Sequence, residues 1–398
     1  VTDDRRILSN VVLRQDHSDT KGIHPLFAAR GHHTNIPTAV ATALRDAELS
    51  IHDVDGIAVT RGPGMASSLT VGMSAAKTLA AVHAKPLIYV HHMRGKLHSV
   101  EPAANPAAHA LTPLLTEADP PAFPFLCLLV SGGHTLVVLV QSHARFQVLA
   151  TTLDDSIGYV ASRPSLLTAR NTFDKFAREL GLPWQSASGA LVEQLAREHE
   201  RGGEPLDAKL PKVMLGHQSF SYSGLKSSVS RAIASLGGAE QMSMPQKRAL
   251  AHEFQRAAFA QLEDKLVRAV VTGPVGRDSR LARGWRLFDS DAQTAERIDS
   301  VVCSGGVASN QFLRDRYADF ADEIPLTDQL RIALNECGRG DVKLYFPPYV
   351  QTVGIYVLMG RLALCTDNAA MIAWAGHLDW DARTDDQTPH VIPKWPLD

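Results

Sequence analysis

Two apolar runs of six residues, Phe125–Val130 and Thr135–Val140, flank Ser131-Gly132-Gly133-His134, and the pattern predicts two strands folded over a tight glycine turn. A later run, Ser300-Val301-Val302-Cys303, leads through Ser304-Gly305-Gly306-Val307-Ala308-Ser309-Asn310 into Gln311-Phe312-Leu313-Arg314, which reads as strand, turn and helix start. Upstream, strand and helix alternate. Asn35 is expected to cap a helix reaching about Leu49 with Pro37 in its first turn, followed by a strand over Gly56–Thr60, a helix over Ser67–His83 and a strand over Pro86–His91. That βαβ order predicts an α/β lobe with a mostly parallel sheet. Further helices are expected near Phe173–Leu180, Gly189–Glu198 and Pro245–Val271, and Thr366-Asp367-Asn368 reads as the cap of an apolar helix over Ala369–Gly376. The polar, proline-bearing stretch from Arg94 to about Asp119 reads as a border. A first lobe is therefore expected over 1–118, completed by the C-terminal segment 367–398, and a second over 119–366.

Composition narrows the class. At 398 residues and 45% hydrophobic content the chain is expected to form two soluble globular lobes. No apolar stretch reaches the length of a membrane span, and Val1-Thr2-Asp3-Asp4 resembles neither a signal nor a transit peptide, although a chain without an initial methionine leaves room for a leader. Cys127, Cys303, Cys337 and Cys365 are scattered, which argues against a disulfide scaffold or a cysteine zinc site and favours a reducing compartment. A net charge of −2 carries no global signature of nucleic-acid binding, so any RNA contact needs a local patch. The densest basic stretch holds Lys265, Arg268, Arg277, Arg280, Arg283 and Arg286 around Trp285, and a solvated face explains it equally well.

Glycines let backbone N–H groups converge on an anion, and a helix start adds its dipole, so two Ser-Gly-Gly turns suggest a nucleotide held between them, with a pair of ordinary turns as the plainer alternative. Neither His-Glu-x-x-His nor Gly-x-Ser-x-Gly occurs. What remains is His91-His92 at a strand end, then His98 and His109, with Asp367 far downstream; two imidazoles and a carboxylate are a recognised metal set, and ordinary hydrogen-bonded histidines with a helix-capping aspartate are the plainer alternative. Phe220-Ser221-Tyr222-Ser223-Gly224-Leu225-Lys226 reads as a polar turn beside a cation, suited to an anion or RNA. Asp154-Asp155 and Asp174-Lys175 offer carboxylates for ribose hydroxyls or simply for solvent.

Several strings fall in a family order: Arg61-Gly62-Pro63-Gly64, Val90-His91-His92-Met93, Val130 to Thr135, Phe173-Asp174-Lys175, Phe220 to Lys226, Gly305 to Asn310, Phe346-Pro347-Pro348 and Cys365-Thr366-Asp367-Asn368. Over most of its length the chain resembles the tRNA threonylcarbamoyladenosine synthases, formerly called O-sialoglycoprotein endopeptidases or glycoproteases. The resemblance implies a two-lobe actin/Hsp70-like (ASKHA) α/β fold and transfer of a threonylcarbamoyl group from threonylcarbamoyl-AMP to N6 of adenosine 37 in tRNAs reading codons that begin with A. It implies one divalent metal ion, iron or zinc, on His92, a second histidine and Asp367. It places the phosphate and acyl part of the donor at Ser131, Gly132 and Gly133, and the adenosine end at Asp174, Gly189 and Asn310. Partners on this reading are tRNA and threonylcarbamoyl-AMP, with a homodimer and no membrane. The histidine after the first Ser-Gly-Gly resembles the bacterial and mitochondrial branch, which makes the mitochondrial matrix the expected compartment and the cytoplasm the alternative.

The chain also departs from the family pattern. It starts after the family's first strand, so an open sheet edge is expected. Residues 94–106, 159–171, 317–329 and 349–361 look like inserts, either real loops or short introns translated in frame. The first separates the histidines: Lys96 stands four residues after His92, where the family has its second metal histidine, and removal of the thirteen residues Arg94–Pro106 brings His109 to that position. The expectation is that the intact chain binds metal weakly or not at all through His92, His109 and Asp367. The competing readings are an actin-like ATPase or sugar kinase, and an interrupted homologue without catalysis.

Overall fold

The computed structural model of the chain describes residues 1–15, 24–92, 108–131, 134–158, 172–182, 188–203, 210–272, 300–318, 343–345, 368–393 and 395. The fold is mixed α/β, with a two-stranded and a five-stranded sheet among those residues. No helix among them is long and apolar enough to cross a membrane. The chain divides into two compact units, Val1–Phe123 with Val140–Gln147 and Pro347–Asp398, and Pro124–Leu139 with Val148–Phe346.

In the first unit, α1 (Pro25–Asp46) and α2 (Ala66–His83) accompany β1 (Ile57–Gly62) and β2 (Leu87–His91), which pair in parallel from Ile57 opposite Leu87 onward. Every residue of β2 is buried, and its alternation shows why. Leu87 and Tyr89 pack with Met73, Ala76 and Ala80 of α2, while Ile88 and Val90 pack with Ala108, Met371, Ile372 and Ala375. The latter come from α3 (Ala108–Thr116) and α9 (Ala369–Leu378).

Two expectations for this unit change. Helix α1 starts at Pro25 rather than beyond Asn35, because His24 caps it by accepting the Leu26 N–H at 3.3 Å and Pro25 occupies the tolerated first position. Pro37 therefore lies inside the helix, where it has no N–H to donate to the turn before it. Helix α3 occupies part of the stretch read as a border: from Ala108 to Pro113 every residue is buried, as the apolar run Ala110-Leu111 and Leu114-Leu115 could have signalled. Before Ile57 no strand occurs among the described residues.

The second unit is built on the sheet β5-β4-β3-β6-β7, with β3 (Phe125–Val130), β4 (Thr135–Val140), β5 (Phe146–Thr151), β6 (Ser300–Ser304) and β7 (Lys343–Tyr345). Strands β3 and β6 run parallel, with Leu126 opposite Val301 and Leu129 opposite Ser304. On this sheet pack α4 (Thr172–Glu179), α5 (Ser188–Glu200), α6 (Ser223–Ser235), α7 (Met244–Thr272) and α8 (Gln311–Ala318). An aromatic ladder joins α4, α7 and α8: Phe176 stacks on Phe254 at 4.0 Å, Phe173 meets Phe254 at 5.0 Å and Phe259 at 5.7 Å, and Phe259 meets Phe312 at 5.9 Å. Helix α6 begins within the stretch read as a polar turn; its Leu225, Val229, Ala232 and Ile233 recur at helical spacing and are buried.

The four suspected inserts lie outside the described residues, except Tyr317 and Ala318, which end α8. The chain closes up around 159–171. Thr172 donates its N–H to Ser156 O at 3.0 Å, and Phe173 donates to Ile157 O at 3.4 Å. With the thirteen residues removed from the numbering, both bonds become the three-residue steps of an ordinary tight turn. Deletion of 159–171 is therefore expected to leave the far-ultraviolet circular dichroism of the protein unchanged and its melting temperature equal or higher, since a shorter loop lowers the entropy cost of closure. A fall of more than about 5 °C, corresponding to roughly 1 kcal/mol or more, would show that the segment contributes to the fold.

Candidate functional site

The parallel pairing of β3 and β6 sends both Ser-Gly-Gly turns off the same, carboxyl edge of the sheet, where ligands of open α/β sheets bind. In the first turn Ser131 donates its N–H to His134 O at 2.9 Å, and Ser131 Oγ accepts the His134 N–H at 3.2 Å. Gly132 and Gly133 lie outside the described residues. In the second turn Gly305 has φ +100°, and a Cβ there would stand 2.4 Å from Val130 O. Gly158 closes the seam: a Cβ on it would meet Ser131 O at 2.4 Å and the Val307 side chain at 2.7 Å. Backbone thus packs on backbone at two points, Gly305 on Val130 and Gly158 on Ser131, and only glycine permits it.

The remaining residues expected at the donor lie at the starts of α8, α4 and α5. Asn310 is buried and caps α8, accepting the Leu313 N–H through Oδ1 at 3.1 Å while its Nδ2 donates to Gln255 Oε1 at 3.1 Å. Asp174 is buried in the first turn of α4, directly after Phe173, whose N–H reaches Ile157 next to Gly158. Gly189 is buried in the first turn of α5. Glu193, one turn further along α5, accepts the Gln311 N–H at 2.9 Å and so joins α5 to the start of α8; burial pushes its pKa up against that bond and Arg197. These elements border a cavity of about 230 Å³ lined by Glu193, Arg197, Glu200, Gln255, Gln311, Phe312 and Asp315, which the sequence did not signal.

Asp154 and Asp155 are not solvated surface acids. Asp154 accepts hydrogen bonds from Ser221 Oγ and from the N–H groups of Tyr222 (2.9 Å) and Ser223 (3.3 Å), and so caps α6 from 68 residues away. Asp155 is buried and takes both Lys175 Nζ, at 2.9 Å, and Lys226 Nζ. The cation of the Phe220–Lys226 motif is thereby paired inside the protein, and burial lowers the Lys226 pKa. Lys265, in the basic stretch read as either an RNA patch or a solvated face, is fully buried and donates to Met214 O and Asp264; the arginines from Arg277 to Arg286 lie outside the described residues.

In the first unit, His92 follows β2 and donates its N–H to Gly62 O at 2.7 Å, and His109 is the buried second residue of α3. Their rings meet edge to face with centroids 4.8 Å apart. The structure therefore brings the rings of the two histidines together with residues 94–106 present in the chain, although Lys96 rather than a histidine stands four residues after His92. The end of β2 and the start of α3 set this pairing, not a spacing of four on one helix. Asp367 lies outside the described residues, but Asn368, which follows it, caps α9 by accepting the Met371 N–H at 3.0 Å, and α9 packs against β2 and α3. Among the described residues no three histidine, cysteine, aspartate or glutamate side chains converge as a metal site. The two imidazoles suit a borderline ion such as iron or zinc better than magnesium or calcium.

A parallel strand pair ending in glycine turns at one carboxyl edge is the place where open α/β sheets bind ligands. The model of the tRNA N6-adenosine threonylcarbamoyltransferase family matches residues 6–357. Proteins of that name from Rhizobium leguminosarum bv. trifolii (32% identity, 99% of this chain and 87% of the relative), Sinorhizobium medicae (34%, 99% and 88%) and Symbiobacterium thermophilum (34%, 95% and 86%) are similar to it. The chain belongs to this family of acyltransferases, whose reaction is the modification of tRNA.

Two substitutions test the network at α6. Burial opposes ionisation of Asp154, but the hydrogen bonds from Ser221, Tyr222 and Ser223 outweigh it and hold its pKa below the usual carboxylate value. Its contribution to stability is complete above the unfolded-state pKa of about 3.9 and is lost as the pH falls through the lower folded-state value. Asp154→Ala is expected to cost about 1–3 kcal/mol at pH 7 in urea denaturation, and the loss is expected to shrink as the solution is acidified below about pH 4. Tyr222 is fully buried and its hydroxyl has no hydrogen-bond partner among the described residues. Tyr222→Phe is accordingly expected to raise stability, by about 1 kcal/mol.

Proposed function

We propose that this chain transfers the threonylcarbamoyl group of threonylcarbamoyl-AMP to N6 of adenosine 37 in tRNAs reading codons that begin with A. The observation that carries the reading is the convergence of Ser131, Gly158 and Gly305 at the carboxyl ends of β3 and β6. In this reading Ser131, Gly132 and Gly133 hold the phosphate and acyl part of the donor, and Asp174, Gly189 and Asn310 hold its adenosine. Asn310 has one amide N–H left for that purpose after donating the other to Gln255. Adenine N6 is a poor nucleophile, so fixing donor and acceptor in line supplies much of the rate. His92, His109 and Asp367 would hold one divalent ion, iron or zinc, which supplies Lewis acidity towards the carbamate oxygen. The reading includes two actin-like lobes, 1–118 with 367–398 and 119–366, a homodimer, and the mitochondrial matrix, favoured by the bacterial-type histidine at position 134.

The purified chain, supplied with threonylcarbamoyl-AMP and unmodified tRNA, is expected to yield threonylcarbamoyladenosine, read by mass spectrometry of the digested nucleosides. ATP turnover without a tRNA product would favour a kinase or ATPase instead. Asn310→Ala and Asp174→Ala are expected to weaken adenylate binding in calorimetry by about 0.5–3 kcal/mol each, and unchanged affinity in both would remove the donor assignment. Because His92 and His109 already meet, elemental analysis is expected to find the same metal content in the intact chain and in the 94–106 deletion, and much less in His109→Ala.

A further inference from the structure

The segment after α9 runs back along the first unit as an extended strap. Thr384 and Leu87 exchange both backbone hydrogen bonds, at 2.8 and 2.9 Å. Tyr89 Oη then donates to Asp386 O at 2.8 Å, Lys77 Nζ to Pro389 O at 2.7 Å and Arg61 Nε to His390 O at 2.8 Å. Ile392 donates its N–H to Arg61 O at 2.9 Å, and Gly64 donates to Pro393 O at 3.1 Å. The strap thus follows β2 and then the end of β1, and it delivers Trp395 to the ring of His91. That ring is fully buried, lies 4.6 Å from the indole, and has its Nε2 3.3 Å from Trp395 O. Since a carbonyl can only accept, His91 Nε2 carries a proton. On the other side, the Arg61 guanidinium stands 5.6 Å from the Trp395 ring and 5.9 Å from the Tyr89 ring.

We propose that Trp395 is a positioning residue for the His92/His109 pair: by holding the ring of His91 it fixes the last peptide of β2, and with it the direction from which His92 meets His109. The inference rests on the two-histidine reading above for its chemical purpose, but its geometric content stands apart from any metal. His92 is bracketed, with its own N–H bonded to Gly62 O and its preceding side chain clamped by the strap. Removing the clamp leaves the strap anchored at six earlier residues, so its effect falls on His91 and His92 rather than on the fold.

The test uses the full chain with ¹³C-labelled histidine rings, in wild type, Trp395→Ala and Trp395→Phe. In the metal-free protein, the nuclear Overhauser contact between the His92 and His109 rings is expected in wild type, lost or strongly weakened in Trp395→Ala and restored in Trp395→Phe, which keeps an aromatic ring against His91; the backbone carbonyl is common to all three, so the comparison reads the ring contact. Cobalt(II) titration followed by visible absorption is expected to show affinity about tenfold or more weaker in Trp395→Ala, the scale of losing an outer residue that orients a metal ligand. An undiminished ring contact in Trp395→Ala would overturn the proposal whatever the metal result. A lost contact together with cobalt binding that ignores both Trp395→Ala and His109→Ala would uphold the positioning role and overturn the two-histidine metal reading.

Discussion

At position 305 the backbone comes so close to the Val130 carbonyl that no side chain fits, and much of the second unit is arranged around that contact. It follows from the register of β3 and β6: once Leu129 stands opposite Ser304, both strands end level and both turns must leave the sheet side by side. Gly158 then seals the same seam from a third segment, against Ser131 and Val307. With the turns fixed, the short helical turn Gly306–Ser309 hands Asn310 to the start of α8, and Glu193 ties α5 to it. The N–H groups of turns and helix starts at such a place are the donors left over when the strands are paired.

The charged residues of this unit serve the same arrangement. Asp154 and Asp155 lie on the link that leaves β5 for Gly158, and between them they take hydroxyl, amide and two ammonium partners from α4 and α6. Taking carboxylates out of water is costly unless they are paired, and here the pairing is complete enough to cap α6, whose own first residues provide no capping side chain. The link that carries Gly158 is thereby held from both sides, by α4 through Thr172 and Lys175 and by β4 through Thr135, whose Oγ1 accepts the Ile157 N–H at 2.8 Å.

The first unit solves a different problem. Strand β2 is buried on both faces, so its last residues are rigid, and a histidine placed just past its end has a defined direction. Helix α3 supplies the second histidine from a wholly buried turn. The strap returning from α9 reinforces the same corner, using backbone carbonyls as acceptors for Arg61, Lys77 and Tyr89.

Much of the element order was legible in the sequence. The apolar runs at 125–130, 135–140 and 300–303 became β3, β4 and β6, and α2, α5, α7 and the Asn368-capped α9 lie within a residue or two of their periodic patterns, because burial on one or both faces leaves a direct mark on hydrophobic spacing. Start signals were less reliable: Asn35 looked like a cap, but His24 and Pro25 offered an earlier one, and a helix propagates once nucleated. The polar start of α6 and the prolines around α3 obscure their apolar spacing in the sequence. The sequence by itself determined the family, the strand–turn–helix units and the glycines that no other residue could replace, since these depend on local periodicity and backbone sterics. Only the tertiary structure decided that His109 faces His92, that Asp154 and Asp155 are internal partners rather than ribose contacts, and that Trp395 returns to His91. Those relations join residues tens to hundreds of positions apart, and chain spacing carries no information about them until the sheet register and helix packing bring the segments together.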